Sequence, residues 1–221
     1  MKLIKHELSL LLIIVAILSL ASCGGEPPEL LAVEARLEIR PGEGGERETL
    51  SIFVNLRDGD GIEDIEALWI VNEGAELAWG IGPDKWTFRN EGAETWIGAA
   101  DLAMPDYSPL PRGGWRVIAA DLAGRRSERS FRIEKDASSP ASPSLKIVGR
   151  SVEIISTWPE TTLVAYDAAG SLARAVSARA GRADIDTLFG RADTERVFSL
   201  AVYGYDPVQK KGAYSWRMKF R

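Results

Sequence analysis

Short segments in which apolar and polar residues alternate recur along the chain, and this pattern restricts it to β-structure. Residues 33–40 read Val-Glu-Ala-Arg-Leu-Glu-Ile-Arg, and residues 50–56 repeat the alternation with Ile52, Val54 and Leu56 on one face. Side chains of a strand point alternately to its two faces, so each segment would bury one face only. Gly, Asp and Pro separate the segments, as turns between short strands require. The sequence therefore predicts an all-β fold.

The pattern extends over most of the chain. In residues 62–71 it predicts a strand whose buried face carries every second residue from Ile65 to Val71, including Trp69. Residues 174–178 are predicted as a strand, although the stretch 171–180 admits a helix instead, since Ala and Arg are good helix formers. The other predicted strands are 85–88, 95–100, 115–120, 130–133, 145–148, 152–156, 162–166, 183–188, 197–205 and 213–220.

A connector divides the sequence into two parts. Residues 136–144 read Asp-Ala-Ser-Ser-Pro-Ala-Ser-Pro-Ser, and small residues with two prolines do not build a core element. This predicts a domain at 30–135, a linker at 136–144 and a second domain at 145–221. Residues 145–221 carry twelve basic and eight acidic side chains, whereas residues 23–144 carry thirteen and twenty-three. This difference is either a plain difference between two polar surfaces or one that favours docking between the two domains, or placement of the second toward an anionic surface.

A short motif occurs in both halves. Residues 119–124 and 165–170 share the pattern Ala-x-Asp-x-Ala-Gly, and each follows an apolar pair. The motif predicts a strand that enters a tight turn, in which Asp accepts hydrogen bonds from turn amides and Gly adopts a positive φ. Residues 201–207 are a looser third copy.

These hairpins carry a resemblance to a known class of domain. The stretch 114–133, and the Asp58-Gly-Asp-Gly61 turn that leads into a strand, resemble bacterial Ig-like and fibronectin type III-like domains. The resemblance implies two tandem β-sandwiches of this kind, and it defines a fold rather than a function. The cysteine pair of antibody domains is absent, because Cys23 is the single cysteine of the chain.

The first 22 residues have the order of a secretory signal peptide. Lys2 and Lys5 precede an apolar run over 8–20, and small residues follow it. The run is shorter than the roughly 20 residues that a membrane-spanning helix prefers. We therefore predict export and removal of residues 1–22.

Residues 20–23, Leu-Ala-Ser-Cys, follow the apolar run and resemble the lipobox of bacterial lipoproteins. The resemblance implies that Cys23 becomes the lipid-modified first residue, with a diacylglycerol and an N-acyl chain such as palmitate. More than one chain is needed because a single acyl chain anchors a protein only marginally. Residues 23–29, with two glycines and two prolines, are the predicted tether. Gly24 stands where an Asp often retains such proteins in the inner membrane, which favours the outer membrane of the cell envelope.

The residues that remain after cleavage exclude many enzymes. His6 is the only histidine and Cys23 the only thiol, so Ser-His-Asp and Cys-His mechanisms, Cys/His zinc sites and internal disulfides have no residues to form them. No phosphate-binding or dinucleotide motif is present. Basic residues are not interleaved with aromatic ones along any segment, so we expect no nucleic-acid partner.

Paired carboxylates are the catalytic machinery that the composition leaves. Glycoside hydrolysis needs two of them about 5–9 Å apart across a cleft. Asp184 and Asp186 would share one face of the predicted strand 183–188, although a solvated face is the preferred interpretation. The other acids considered for this role are Asp101, Asp106 and Asp193.

One group of acids has the spacing of a metal site. Asp58, Asp60 and Asp64 form Asp-x-Asp-Gly-x-x-Asp, which resembles the calcium loops of thrombospondin type 3 repeats. Hard cations such as calcium bind several oxygens at once. The spacing is not that of an EF-hand. The alternative interpretation, which is preferred, is a glycine-rich hairpin turn with solvated acids.

Tryptophan is abundant, with seven residues in the chain. Trp79, Trp86 and Trp96 lie in the least regular part of the first half and are candidate ligand-binding residues, since exposed aromatic rings stack on sugars or peptides. The remaining four lie on predicted strands and are expected in the core: Trp69, Trp115, Trp158 and Trp216.

Taken together, the residues predict a lipid-anchored protein of the bacterial cell envelope that is not an enzyme. Its expected role is protein binding, adhesion or envelope assembly, with an envelope protein as partner and the membrane engaged through the lipid. One alternative is a carbohydrate- or peptidoglycan-binding module, and a second is a carboxylate-dependent hydrolase. No cofactor is expected apart from the calcium hypothesis.

The lipidation hypothesis gives a direct prediction. In bacteria fed a clickable palmitate analogue, the wild-type chain is expected to carry the label and to enter the detergent phase of a Triton X-114 partition. Cys23→Ser removes the acylated thiol, so the label and the partition should both be lost. Ser22→Ala, which keeps the thiol, is the matched control. A labelled Cys23→Ser chain would contradict the assignment.

Overall fold

The computed structural model describes residues 25–92, 94–134 and 140–221. The predicted signal peptide and Cys23 lie outside the described residues. The strands of the first part are β1 Glu29–Gly42, β2 Gly45–Arg57, β3 Ile65–Asn72, β4 Leu77–Ile81, β5 Thr87–Glu91, β6 Glu94–Leu102, β7 Gly113–Asp121 and β8 Arg126–Ile133.

The second part contains eight further strands and two short helices. The strands are β9 Ser144–Val148, β10 Ser151–Ile155, β11 Glu160–Tyr166, β12 Leu172–Ser177, β13 Gly181–Asp184, β14 Ser199–Asp206, β15 Lys211–Tyr214 and β16 Met218–Lys219. The helices are α1 Ile185–Phe189 and α2 Arg191–Thr194. The predicted linker 136–144 overlaps residues that are not described, so the exact domain boundaries stay a prediction.

Strands β1 to β8 form two four-stranded antiparallel layers. One layer has the order β5-β6-β2-β1 and the other β4-β3-β7-β8. With the strands lettered in chain order as A, B, C, C′, D, E, F and G, the layers are ABED and C′CFG, which is the constant-type Ig arrangement with one added strand. The inner faces supply the core, whose most buried side chains include Leu50, Ile52, Ile65, Leu68, Ile97 and Trp115.

Strands β9 to β16 form a second sandwich with its own core. One layer has the order β13-β10-β9 and the other β12-β11-β14-β15, with β16 pairing to β14 beyond the end of β15. The helices join β13 to β14, and the α1 side chains Ile185 and Phe189 are buried. Strand β12 confirms the strand interpretation of residues 171–180. The all-β prediction is thus confirmed.

One sheet runs through both sandwiches. Strand β1 pairs antiparallel with β2 along its whole length and pairs in parallel with β15 of the second sandwich, residues 37–39 lying opposite 211–213. The layer β5-β6-β2-β1 therefore continues into β15-β14-β11-β12 without a break. The second sandwich is attached to the first by main-chain pairing in addition to the connecting chain.

The repeated turn motif has the predicted geometry. Asp121 Oδ1 accepts a hydrogen bond from the amide four residues on at 2.8 Å, and Gly124 has φ 78°. Asp167 Oδ1 accepts the equivalent bond at 2.9 Å, and Gly170 has φ 82°. In the third copy, Asp206 Oδ1 accepts from the amides two and three residues on, at 2.9 and 3.1 Å. Each turn is held by a carboxylate that bonds to the main chain.

The predicted buried face of β3 is wrong after its first residue. A bulge between Ile65 and Ala67, opposite β7, shifts the alternation by one residue. Beyond it Leu68 and Ile70 face the core, whereas Trp69 is 44% exposed. A one-residue slip exchanges the two faces of a strand, so an alternation that reads cleanly in sequence inverts at a bulge.

The predicted strand at 183–188 is wrong beyond Asp184. Strand β13 ends at Asp184, whose Oδ1 accepts from the Thr187 amide at 2.9 Å and so caps α1. Asp is among the most effective N-cap residues because its oxygen satisfies an unpaired amide of the first turn. Asp186 is therefore helical and does not share a strand face with Asp184; its Oδ2 lies 2.7 Å from Arg150 Nε.

The junction between the sandwiches leaves no room for a side chain at Gly212. The ring of Tyr203 covers this residue, and a Cβ there would overlap the ring. We expect Gly212→Val to lower the free energy of unfolding by about 1–3 kcal/mol, the usual cost of overpacking. Urea denaturation measures it. Gly114→Val in β7, where a Cβ meets nothing within 4 Å, is the control; equal losses in both variants would contradict the packing argument.

Candidate functional sites

The structure brings the three predicted calcium ligands together. Asp58 and Asp60 lie in the turn after β2, and Asp64 is the last residue before β3. One carboxylate oxygen from each lies within 4.8 Å of the others. Asp58 Oδ1 also accepts from the Asp60 amide at 2.8 Å, and Gly61 adopts φ 101° to close the turn. Asp58, Asp60 and Asp64 are the described residues able to hold a hard cation here.

An arginine from the neighbouring turn already approaches these acids. Arg125 lies in the turn between β7 and β8, and its Nε is 2.6 Å from Asp121 Oδ2. Its Nη2 is 3.5 Å from Asp60 Oδ2 and 3.6 Å from Asp64 Oδ2. The main chain of Gly25 packs against the side-chain ends of this arginine and of Asp60, which would have to shift to admit a Cβ there. The cluster therefore lies where the predicted tether reaches the first sandwich.

The electrostatics of the cluster reflect four acids around one guanidinium. Burial raises the pKa of Asp64, and the charges of Asp121, Asp58 and Asp60 raise it further. Burial acts in the same direction on Asp121, but hydrogen bonds from Arg125 outweigh it and leave the pKa of Asp121 lowered. The Oδ2 atoms of Asp58 and Asp64 accept no hydrogen bond from the described residues. The arginine compensates the cluster only in part.

The three candidate ligand-binding tryptophans do not form one surface. Trp86 is buried in the first core at 9% exposure. Trp79 stacks on the buried Trp115 with ring centroids 5.5 Å apart. Only Trp96 lies on an outer sheet face, where the guanidinium carbon of Arg89 lies 5.0 Å from its ring. A ligand-binding role stays a prediction, and the placement favours Trp96 for it.

Two tryptophans expected in the core are exposed instead. Trp69 is 44% exposed because of the β3 bulge, and Trp216 is 60% exposed in the irregular segment between β15 and β16. Trp115 and Trp158 are buried as expected, at 1% and 6% exposure. Their indole N–H groups donate to main-chain carbonyls at 3.0 and 2.9 Å, which removes the cost of burying them.

The acids considered for hydrolysis have separate structural partners. Asp101 Oδ1 lies 2.7 Å from Arg40 Nε, and Asp106 Oδ1 accepts from the Ser108 amide at 3.0 Å. Asp193 pairs with Arg174. With Asp184 capping α1 and Asp186 paired to Arg150, these five acids supply no facing pair in the described part of the chain.

A feature missed in the sequence lies at the junction of the two sandwiches. Strand β1 projects four alternating charges onto the outer face of the continuous sheet: Glu34, Arg36, Glu38 and Arg40. The second sandwich brings three aromatic rings against them: Tyr203, Tyr205 and Tyr214. The Arg36 guanidinium carbon lies 5.1 Å from the Tyr205 ring centroid. That of Arg40 lies 4.4 Å from the Tyr214 centroid, within cation–π range. We call these seven residues the seam.

Glu38 is the most deeply buried charge of the seam, at 5% exposure. Arg40 Nη2 lies 2.6 Å from Glu38 Oε2, and Nε of the same arginine lies 2.7 Å from Asp101 Oδ1. Burial raises the pKa of Glu38, and the opposing attraction of Arg40 does not cancel it. Burial also raises the pKa of Tyr203 and of Tyr214, which keeps both hydroxyls protonated.

A line of further rings and guanidinium groups extends from the seam across the first sandwich. Arg89 of β5 pairs with Glu34, and its guanidinium carbon lies 4.8 Å from the Phe53 ring and 5.0 Å from the Trp96 ring. The alternation of charges on β1 is visible in the sequence. Which surface would cover them depends on β15, which is about 170 residues further along, so local pattern gave no signal for it.

The fold defines the protein as an all-β chain of two sandwiches joined through one sheet. No protein-family model matches the sequence, and no curated protein matches it. Among solved structures it is similar to the 47-kilodalton lipoprotein Tp47 of Treponema pallidum, at 12% identity and a TM-score of 0.40, over 86% of this chain and 50% of that one.

Two further structures show a similar degree of likeness. Dimeric latent PorU from Porphyromonas gingivalis matches at 13% identity and a TM-score of 0.35, over 88% of this chain and 20% of that one. The BSP domain of a biofilm-associated protein matches at 13% identity and a TM-score of 0.28, over 88% and 29%. The chain thus spans half or less of the length of these structures, and such TM-scores do not establish a common fold.

The raised pKa of Glu38 predicts a pH dependence of stability. Native Glu38 keeps its proton above the ordinary value of 4.5, so the folded state binds more protons than the unfolded state over the interval just above it. Stability contributed by this residue therefore falls as pH rises through the interval. Urea titrations from pH 4.5 to 7 measure the free energy of unfolding of Glu38→Gln and of the wild type. The value for the variant should rise relative to that of the wild type as pH rises.

Glu34 provides the contrasting control on the same strand face. Burial raises its pKa, but hydrogen bonds from Arg36 and Arg89 outweigh this and leave the pKa lowered. Its contribution to the free energy of unfolding is present above the ordinary pKa of 4.5 and is lost as pH falls below that value. From pH 4.5 to 7 the difference in stability between Glu34→Gln and the wild type should therefore stay nearly constant. Parallel curves for the two variants would contradict the assignment at Glu38.

The calcium hypothesis is tested by melting the protein in calcium chloride and in EGTA at equal ionic strength. A bound cation stabilises the native state by mass action, so the wild type should melt higher in calcium, and Asp60→Asn should not. Arg125→Gln removes the competing guanidinium and should enlarge the difference. If neither the wild type nor Arg125→Gln responds, the loop is a plain turn held by Arg125.

Proposed function

We propose that the chain is a lipid-anchored protein of the bacterial cell envelope that binds a protein partner and has no catalytic activity. The observation that carries this proposal is the continuous sheet through β1 and β15. Two sandwiches that share a sheet hold a fixed relative orientation, whereas a linker alone would let them move independently. A fixed pair of modules suits presentation of a composite binding surface.

The path of the strands supports a role in presentation. The main chain at Gly25 lies against the Asp60 end of the first sandwich, next to the predicted anchor at Cys23. Strand β1 runs from Glu29 to its ladder with β15. Strand β14 pairs with the other edge of β15, and its Ser199 end extends beyond β15, further along the axis of β1. At about 3.3 Å per residue this path is roughly 50 Å long. The far part of the second sandwich therefore lies well away from the anchor.

The anchor itself belongs to the proposal. In the described part of the chain, no helix has both the length and the apolar character to cross a membrane. Lipid attachment at Cys23, with the outer membrane preferred, supplies the membrane contact that the proposed role needs. Calcium at Asp58, Asp60 and Asp64 would hold the turn between β2 and β3, next to the tether, and this too is a proposal.

A second candidate function is binding of a glycan such as peptidoglycan. The observation that favours it is the outer sheet face that carries Trp96, Phe53 and the seam tyrosines, since aromatic rings stack on sugar rings and the intervening arginines donate hydrogen bonds. The rings are themselves covered in part by those arginines, which makes protein binding the preferred function.

The two functions are separated by one pull-down experiment. Residues 25–221, which contain both cores, are immobilised and exposed to detergent-solubilised envelope proteins and, separately, to purified peptidoglycan sacculi. Recovery of one protein in stoichiometric amount supports the proposal. Retention of sacculi without any protein would replace it with the glycan function.

Gly212→Val, with Gly114→Val as control, tests whether the packing at the junction of the two sandwiches matters for binding. A partner that requires both modules in their fixed orientation should be lost with Gly212→Val and kept with Gly114→Val. Retention by both variants would show that one sandwich suffices and would contradict the role given to the shared sheet.

A further inference from the structure

A cleft of about 470 Å³ opens where the two layers of the first sandwich part, between β1 and β8. The turn between β14 and β15 closes one end of it, so both sandwiches contribute to its walls. The volume lies within the range of ligand sites, roughly 300–1,000 Å³. Its apolar lining includes Val33, Ala35, Leu37, Leu50, Phe131 and Ile133.

One wall of the cleft is a stretch of strand edge with which no other described strand pairs. The Leu37 amide donates to the Lys210 carbonyl at 3.0 Å, so the main-chain groups of Leu37 point toward the edge where β15 pairs. Main-chain groups alternate in direction along a strand, so those of Val33 and Ala35 point to the same edge. The β15 pairing stops at Leu37, and no strand among the described residues pairs with Val33 or Ala35 there.

The two edges that border the cleft differ in protection. Folded proteins guard exposed edges with charged side chains. Strand β8 carries four such residues: Arg126, Glu128, Arg129 and Arg132. The cleft-facing side chains of Val33 and Ala35 are apolar. Arg129 closes only the beginning of the β1 edge, where its Nη1 lies 3.1 Å from the Leu30 carbonyl oxygen and 2.8 Å from that of Leu31.

The rim of the cleft is positively charged. Within the described ranges, neither Arg129 nor Lys210 forms an ion pair with an acidic side chain. Arg132 Nε lies 3.3 Å from Glu134 Oε2, so that acid is already paired with one of the rim cations. An extended segment with acidic residues complements such a rim, and apolar residues complement the floor.

We propose that this cleft binds an extended segment of a protein partner, added as a strand to the edge of β1 at Val33 and Ala35, end to end with β15. Successive residues of a strand point to opposite faces, so apolar and acidic side chains alternate along the segment. The apolar ones contact the floor of the cleft, and the acidic ones complement the cations of its rim. This mode of recognition takes affinity from main-chain hydrogen bonds and specificity from the side-chain pockets. The inference rests on the proposed protein-binding function and names the place where the partner docks.

The test uses residues 25–221 and two blocked, fluorescently labelled nonapeptides. One peptide alternates Val and Glu, and the other alternates Val and Lys. Fluorescence anisotropy is expected to show saturable binding of the Val/Glu peptide, and at least tenfold weaker binding of the Val/Lys peptide. Equal binding of both, or no saturable binding of either, would overturn the proposal.

A single substitution tests the edge itself. Ala35→Pro removes the amide that points to the open slot and fills the slot with the ring, while the β2 side of the strand keeps its pairing. We expect a tenfold or greater loss of Val/Glu peptide binding. Ala35→Val enlarges the same side chain but keeps the amide, so its loss of Val/Glu peptide binding should be much smaller than that of Ala35→Pro. Near-UV circular dichroism and urea midpoints check that both variants are folded.

The outcomes with envelope extract separate this inference from the proposed function. A wild-type partner lost with Ala35→Pro and kept with Ala35→Val supports both. A partner kept by both variants overturns the docking site and leaves the protein-binding function standing. If the wild type recovers no protein, the proposed function fails, whatever the peptides do.

Discussion

The arrangement of the two sandwiches depends on a short parallel ladder between β1 and β15. Only residues 37–39 and 211–213 take part, and each main-chain hydrogen bond contributes about 0.5–1.5 kcal/mol net. So short a ladder needs support from side chains on both faces. On the outer face the seam residues cover it, and on the other face Leu37 joins the core of the first sandwich. The pairing sets the register, and the packing keeps it in place.

The seam combines a favourable and an unfavourable element. Burial of Glu38 is costly, as its raised pKa shows, and Arg40 offsets only part of that cost. The rings of Tyr203 and Tyr214 exclude water from the pair, which strengthens its attraction and also increases the cost of leaving either charge alone. Such a junction discriminates strongly between one register and its neighbours, because a slipped strand would bury an unpaired charge.

Local pattern was sufficient for much of the fold and failed where one side chain or one inserted residue overrides it. The alternation of β1 and β2 and the Asp–Gly turns were predictable, since each depends on neighbours in sequence. The β3 bulge inverted the face of Trp69, and the cap formed by Asp184 ended a strand that the alternation had extended. The grouping of Asp58, Asp60 and Asp64 followed from spacing alone. The seam and the cleft join residues far apart in the chain, so no local signal indicated them.

The parallel direction of β1 and β15 has a mechanical consequence. A pull between the N-terminal end of β1 and the far sandwich is directed along the strands. Load passing between the sandwiches through β1 and β15 acts lengthwise on the ladder, so its hydrogen bonds share the force rather than open one after another. The same number of bonds, if loaded crosswise, would separate in sequence at lower force. The shared sheet thus makes the junction resistant to a pull along the strands, because the bonds of the ladder are loaded in shear.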